Sequence, residues 1–255
     1  MRRLLLLLAA ALPLPAQAQA LELVPTTLHL PAAQGRTELW LRNPGPGHWR
    51  GQLQVWAWDQ QQDAEHLQRS GQVLVSPTLL DLPAGARQRV WLLPASPVPV
   101  VTERAFRIIL APAEAGMPRY SLPLFLGEPA SPARPRLQVE VMASGSQPML
   151  RLHNSGARHA RLSELSFERA DGRRSLLLPG LAGYVLAAKR RQWPLPPRAD
   201  GYAGGRFHAR LQDGTDVILI PSVPAIAASQ PSGLQLPGCP AALCARDAVH
   251  TGRHR

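Results

Sequence analysis

Chemistry-bearing residues are concentrated at the C-terminal end, where Cys239 and Cys244 are followed by His250 and His254. Two thiols and two imidazoles are the donors of a tetrahedral zinc site, but zinc fingers put a far longer spacer between the two pairs. The other histidines, His29, His48, His66, His153, His159 and His208, stand at no ligand spacing with carboxylates. A nucleophile elbow, a phosphate-cradling glycine loop and an HExxH helix are all missing from the sequence. Asp59 and Asp63 flank a glutamine run, which reads as an exposed hairpin loop rather than an acid–base pair. Gly201-Tyr202-Ala203-Gly204-Gly205 reads as a turn between strands. The expectation is a protein with no catalytic residue, no metal site and no cofactor. Trp56 and Trp58 share one strand face; they would be the stacking surface of the alternative, a secreted β-sandwich adhesin or carbohydrate-binding protein, although a sandwich core also uses such residues.

The first twenty residues explain the compartment. Met1-Arg2-Arg3 is a short positive segment, Leu4 to Leu14 an apolar run, and Ala18-Gln19-Ala20 a small-x-small cleavage site. These are the parts of a secretory signal peptide; Pro13 and Pro15 break the run well short of the ~20 apolar residues a membrane anchor needs. Residues 1–20 are therefore expected to be removed, leaving a periplasmic chain. In that setting Cys239 and Cys244 pair as a local disulfide, too near the C-terminus to staple the body of the fold. The formal charge of +11 falls to +9 without Arg2 and Arg3, and the arginines are spread along the chain. A solvated cationic surface accounts for them, with attraction to partner carboxylates as its functional side. Nucleic acid is excluded as a partner by the compartment and by the lack of a basic-aromatic stacking motif.

The elements that would carry any site are short and alternating. Twenty-seven prolines and twenty glycines break the chain into runs of strand length. Leu39-Trp40-Leu41, Gln52 to Trp58, Arg89 to Leu93, Phe106 to Leu110, Leu137 to Val141, Met149 to Leu152 and Val217 to Ile220 show the two-residue period. Asn43-Pro44-Gly45, Pro83-Ala84-Gly85, Asn154-Ser155-Gly156 and Asp171-Gly172 supply turns between them. The pattern is all-β, and the stretch EPASPARP, residues 128–135, reads as a stiff linker. It separates residues 21–127 from residues 136–221, each the size of one β-sandwich. Residues 222–255 are rich in Ala, Pro, Ser and Gln and read as a loose tail.

One strand carries a fault. In Tyr120-Ser121-Leu122-Pro123-Leu124-Phe125-Leu126 the apolar alternation is strong, yet Pro123 has no N–H to give to a ladder. Within a sheet, proline is confined to edges and bulges, and an apolar edge invites another strand.

Taken in order, these segments resemble the periplasmic chaperones of the chaperone–usher pilus pathway. Leu21 to Leu30 is similar to the family's first strand, and Leu39-Trp40-Leu41-Arg42-Asn43 to the strand ending in Asn. The segment Val75 to Gln88 is similar to its "sPp…l.Pg..Q" stretch. Glu103 to Ile109 resembles the acidic residue and aromatic-Arg strand, and Tyr120–Leu126 the last strand of the first domain. The short Ala111–Met117 connection and the proline of the last strand look closer to the archaic or alternative branch.

This resemblance implies two immunoglobulin-like β-sandwich domains in an angled, boomerang arrangement. It implies a folding chaperone that lends its last first-domain strand to an incomplete pilus subunit, in the strand-addition mode, and delivers the subunit to an outer-membrane usher. Met117, Tyr120 and Leu122 would be the lent side chains, with Leu124 and Leu126 in the chaperone's own core. Self-association is one way for the free protein to shield such an edge. Well-studied members anchor the subunit's terminal carboxylate with two basic residues, and the matching positions here are Thr27 and Pro123. The candidate replacements are Arg107, Arg119 and Arg136. Glu103 and Asp200 resemble acidic members of the family's interdomain salt-bridge set.

Overall fold

The computed structural model describes residues 20–32, 35–96, 101–127, 134–144 and 147–221, all of them in one compact unit. The first half runs β1 (Glu22–Val24), β2 (Leu28–Leu30), β3 (Thr37–Arg42), β4 (Trp49–Gln61), β5 (Ala64–Arg69) and β6 (Val73–Ser76). It continues with β7 (Leu79–Leu82), β8 (Arg87–Pro94), β9 (Arg104–Pro112) and β10 (Tyr120–Leu126). The second half holds β11 (Leu137–Ser144), β12 (Gln147–Asn154), β13 (Ala160–Glu168), β14 (Arg174–Val185), β15 (Arg190–Pro194), β16 (Arg206–Arg210) and β17 (Asp216–Leu219). Among the described residues every regular element is a strand, as the alternating runs require.

Two sheets face each other in each half. The first sandwich packs β1-β3-β8-β6 against β2-β10-β9-β4-β5, with β7 pairing the start of β4. The second packs β11-β12-β15 against β14-β13-β16-β17. Each half closes its own apolar core, one around Leu39, Trp49, Val90, Phe106 and Ile108, the other around Leu150, Leu162, Phe167, Trp193 and Phe207. Full burial of one such side chain is worth about 1.5–3 kcal/mol.

The segment read as one first strand is divided. A cis peptide joins Val24 to Pro25, after which the chain leaves the first sheet (β1, paired with β3) and enters the second (β2, paired with β10). The two halves also repeat a corner that the sequence shows only as two Asn-x-Gly turns. Asn43, just past β3, donates from Nδ2 to the carbonyls of Gly47 and Leu82 and accepts the Gly45 N–H at Oδ1. Asn154, ending β12, donates to the Arg158 carbonyl and accepts the Gly156 N–H. Both asparagines are fully buried, and each satisfies backbone groups that a turn would otherwise strand.

Candidate functional site: a half-covered strand edge

Strand β10 is paired with β9 along its whole length, from Tyr120 opposite Leu110 to Leu126 opposite Arg104. On its other side β2 covers only Leu124, Phe125 and Leu126, in parallel register with Leu28, His29 and Leu30. Along Tyr120–Pro123 no described strand pairs on that side. Gly127 N–H donates to the Leu30 carbonyl at 3.0 Å, so the odd-numbered residues turn their backbone groups towards β2. Strand backbone alternates sides with period two, and the β9–β10 register runs without a shift. Ser121 and Pro123 therefore turn towards the β2 side; the parallel Leu124–Leu28 pair sets the Leu28 N–H on the Pro123 carbonyl, and Ser121 turns its backbone groups to the uncovered stretch. The proline's missing N–H costs the β9 ladder nothing; its absence falls on the β2 side.

The side chains of this stretch serve two surfaces. Leu122, 7% exposed, joins Leu124 and Leu126 in the first core, and Met117 and Tyr120 pack partly buried against it. Met117, Tyr120 and Leu122 thus line the rim of the core where the sheet stops. Tyr120 Oη accepts the Leu21 N–H at 2.6 Å, which fixes its ring there. On the opposite face Ser121 is exposed, while Pro123 and Phe125 are buried.

Phe125 faces the second sandwich. Its ring stacks on His159 with centroids 3.5 Å apart and planes 7° from parallel, and it shares a buried cluster with Trp58, Tyr184 and Leu186. Glu103 Oε1 accepts from the His159 backbone N–H at 2.9 Å and lies 2.6 Å from its Nδ1. The Glu103 N–H donates to the Ala157 carbonyl at 3.0 Å, and Arg158 Nε stands 3.9 Å from the carboxylate. Glu103 therefore contacts the second sandwich. Asp200, expected in the same set, pairs instead with Arg198 and Arg169 of its own sandwich, at 3.0 and 3.4 Å. It sits on the turn before β16 and also accepts the Tyr202 N–H, so its oxygens are committed locally.

The tip of the β4–β5 hairpin, read as a plain loop, is the second junction. Asp59 pairs with Lys189 at 2.7 Å, Asp63 with Arg151 at 2.7 Å, and Glu65 with Arg191. Gln60 donates to the Tyr184 carbonyl and accepts the Leu186 N–H. Every one of these ion pairs has its carboxylate on the first sandwich and its cation on the second. His159 and this hairpin escaped sequence reasoning because their partners lie far off along the chain, 56 residues for His159 and Glu103 and 88 for Arg151 and Asp63, and no spacing encodes that; the one signal was the pair of acids bracketing the glutamines.

The three candidate anchors separate clearly. Arg107 lies half-buried with its guanidinium 3.7 Å above the Trp58 ring and 5.7 Å from that of Tyr184. Burial holds the Arg107 pKa below the usual arginine value, and among the described residues it pairs with no carboxylate. Arg119 and Arg136 are exposed. Thr27, at the family's first basic position, is half-buried and uncharged. Trp58 is 3% exposed and half-buried Trp56 lies under Arg69, 5.3 Å from its guanidinium, so the two do not form an exposed stacking platform together. Among the described residues no group of three or more His, Cys, Asp or Glu could hold a metal, and no helix is long and apolar enough to cross a membrane. Cys239, Cys244, His250 and His254, and most of the leader and of the 128–135 stretch, lie outside the described residues.

Comparisons with known proteins bear on the fold. Residues 20–115 match the family described as "Pili and flagellar-assembly chaperone, PapD N-terminal domain". Among solved structures the fold is similar to a chain of the chaperone–tip adhesin pre-assembly complex of the archaic Csu pili of Acinetobacter baumannii. That match has a TM-score of 0.67 and 22% identity, over 80% of this chain and 100% of that one. The fold is also similar to a chain of the SafA pilin–SafB chaperone complex of Salmonella enterica (TM-score 0.53, 16% identity, 82% of this chain, 97% of that one). A third similar structure is the CupB2 chaperone of Pseudomonas aeruginosa (TM-score 0.51, 14% identity, 77% and 97%). No curated protein sequence matches the chain.

Proposed function

We propose, from a chain whose residues 20–115 match the pili and flagellar-assembly chaperone family, that this is a non-enzymatic periplasmic chaperone for pilus subunits. It binds them by lending the Tyr120–Pro123 edge. In this reading the leader of residues 1–20 is removed on export, residues 21–127 carry the edge, and residues 136–221 form the second sandwich beyond the 128–135 linker. The observation that carries it is the half-covered edge of β10, open where Met117, Tyr120 and Leu122 line the rim of the core.

The physics of the exchange is simple. A subunit lacking one strand has a bare row of backbone donors and acceptors and an open apolar groove, both costly in water. Strand addition satisfies the backbone through main-chain bonds and fills the groove with alternate side chains. No nucleotide, metal or other cofactor takes part. Arg107 is the favoured partner for the subunit's terminal carboxylate, since it is the half-buried cation among the candidates; Arg119 and Arg136, being exposed, would hold a carboxylate more weakly. Release to an outer-membrane usher follows, when a neighbouring subunit's strand replaces the lent one. The burial of Trp58 counts against an adhesin or carbohydrate-binding reading.

The test is co-expression with secreted candidate subunits in the periplasm, followed by co-purification. Leu122→Asp places a charge at the core rim and is expected to abolish the complex; circular dichroism of the free variant establishes that the preparation compared is folded. Undiminished co-purification of a folded Leu122→Asp variant would remove the lent-strand assignment.

A further inference from the structure

Leu21 stands where export would leave the first residue of the chain, directly after the small-x-small run Ala18-Gln19-Ala20. Ala20 is exposed, whereas the Leu21 side chain is buried in the first core. The Leu21 backbone nitrogen donates to Tyr120 Oη at 2.6 Å, at the rim beside the uncovered stretch of β10. Removal of residues 1–20 turns that nitrogen from a neutral amide into an α-ammonium. Chain-terminal amines have an ordinary pKa of about 7.7–8.0, so most of the group is charged at neutral pH. The buried leucine side chain and the pairing of Glu22 with Arg42 hold it in place.

A charge made there is short of a counter-charge. Of its three N–H groups the phenol oxygen takes one, and a neutral phenol does not oppose the charge. Glu22, the neighbouring acid, has both carboxylate oxygens 3.1 Å from Arg42 Nη1. A partly desolvated ammonium without an anion is costly, and the anion of an unmodified polypeptide is a carboxylate. We infer that the processed N-terminus is itself a binding group of the edge: the Leu21 α-ammonium, oriented by Tyr120, takes a side-chain carboxylate of the visiting strand. The visitor's terminal carboxylate is assigned above to Arg107, which lies opposite Pro123 at the other end of the open stretch. Asp or Glu side chains are what remains for Leu21. The inference rests on the export and lent-strand reading of this chain.

The sequence makes the charge easy to remove. Lys189 is the only lysine in the chain, so the processed Lys189→Arg variant carries a single primary amine. Acetylating it with an N-hydroxysuccinimide ester near pH 7 deletes the charge and keeps an N–H for Tyr120. Acetylated and unacetylated chains then compete for a subunit co-purified with the wild-type protein, and intact mass reports each share. At pH 7 the acetylated chain should lose by roughly two- to fivefold, the range of a partly exposed ion pair. At pH 9, above the ordinary ammonium pKa, the preference should vanish. Changing the acidic side chains of the subunit's C-terminal segment to their amides should abolish it at pH 7 as well. A glycine inserted between Ala20 and Leu21 moves the ammonium one residue outward and covers the case of an amine that resists acetylation; this chain should lose to the same degree. Equal shares at pH 7, a preference unchanged at pH 9, or one that survives the subunit's amides overturns the inference. A mature chain that begins at another residue overturns it too. Failure of the chaperone reading would appear separately, as subunit capture indifferent to Leu122→Asp.

Discussion

Phe125, on the back of the strand whose edge stands open, lies flat on His159 of the second sandwich, with ring centroids 3.5 Å apart. The same strand therefore has one face in the first core through Leu122, Leu124 and Leu126 and the other against the neighbouring sandwich. Its free edge is presented by a strand fixed on both faces, which spares a binding event the entropy of ordering it.

Removing that ring should be costly. Phe125 is almost fully buried, and Phe→Ala at such a site typically costs about 3–5 kcal/mol. His159→Phe keeps a ring on Phe125 but leaves the buried Glu103 carboxylate without the imidazole, for which about 1–3 kcal/mol is expected. Urea unfolding of both variants checks the order: Phe125→Ala should lie below His159→Phe, and wild type above both.

The hairpin tip makes a second prediction. Asp63 has φ 66°, a conformation Asn accepts readily, so Asp63→Asn isolates the charge from the backbone. Its carboxylate is buried against a partly buried Arg151, and loss of one member of such a pair leaves the other uncompensated. A fall of about 1–3 kcal/mol in urea-monitored stability is expected. Asp59→Asn should cost at most about 1 kcal/mol, because the Asp59–Lys189 pair is more exposed.

Gly156 should tolerate no side chain. A Cβ there would stand 2.4 Å from the Arg134 carbonyl oxygen and 2.8 Å from the Arg136 nitrogen, both backbone. Gly156→Ala must push away the chain entering the second sandwich, a cost of about 1–3 kcal/mol. Hydrogen exchange gives the local readout. The Arg136 N–H, now donated to Asn154 Oδ1, and the Ser155 N–H, donated to the Arg136 carbonyl, should exchange faster in the variant.

Asp200 supplies a pH signature. The Arg198 guanidinium holds its carboxyl down to about 2, helped by the Tyr202 N–H. A folded pKa below the unfolded value means that the contribution is complete above about pH 4, where an unfolded Asp is ionised. It is lost as pH falls through the folded pKa. Carboxyl NMR titration should find Asp200 near 2 in wild type and returned towards the ordinary aspartate range in Arg198→Leu. An unchanged titration in that variant would place the cause elsewhere.

Local pattern carried much of this protein. Alternation marked β3, β4, β8, β9, β10 and β12 because a strand with one buried face must repeat every second residue, and their ends moved by only a few residues in the structure. Pro123 was visible as a fault in its strand from chemistry alone. Four things were not legible: the switch of the first strand between sheets at Pro25, the stacking of His159, the acidic hairpin clasping the second sandwich, and the local commitment of Asp200. Each depends on which distant residues meet, and strand periodicity is silent on that.

The amino-acid order by itself determined an all-β chain with two apolar sets of strands and one strand unable to complete its ladder. Only the tertiary structure decided which side of that strand the proline faces. With β9 on one flank and β2 stopping at Leu124, the missing donor points away from β9, at the end of the cover that β2 provides.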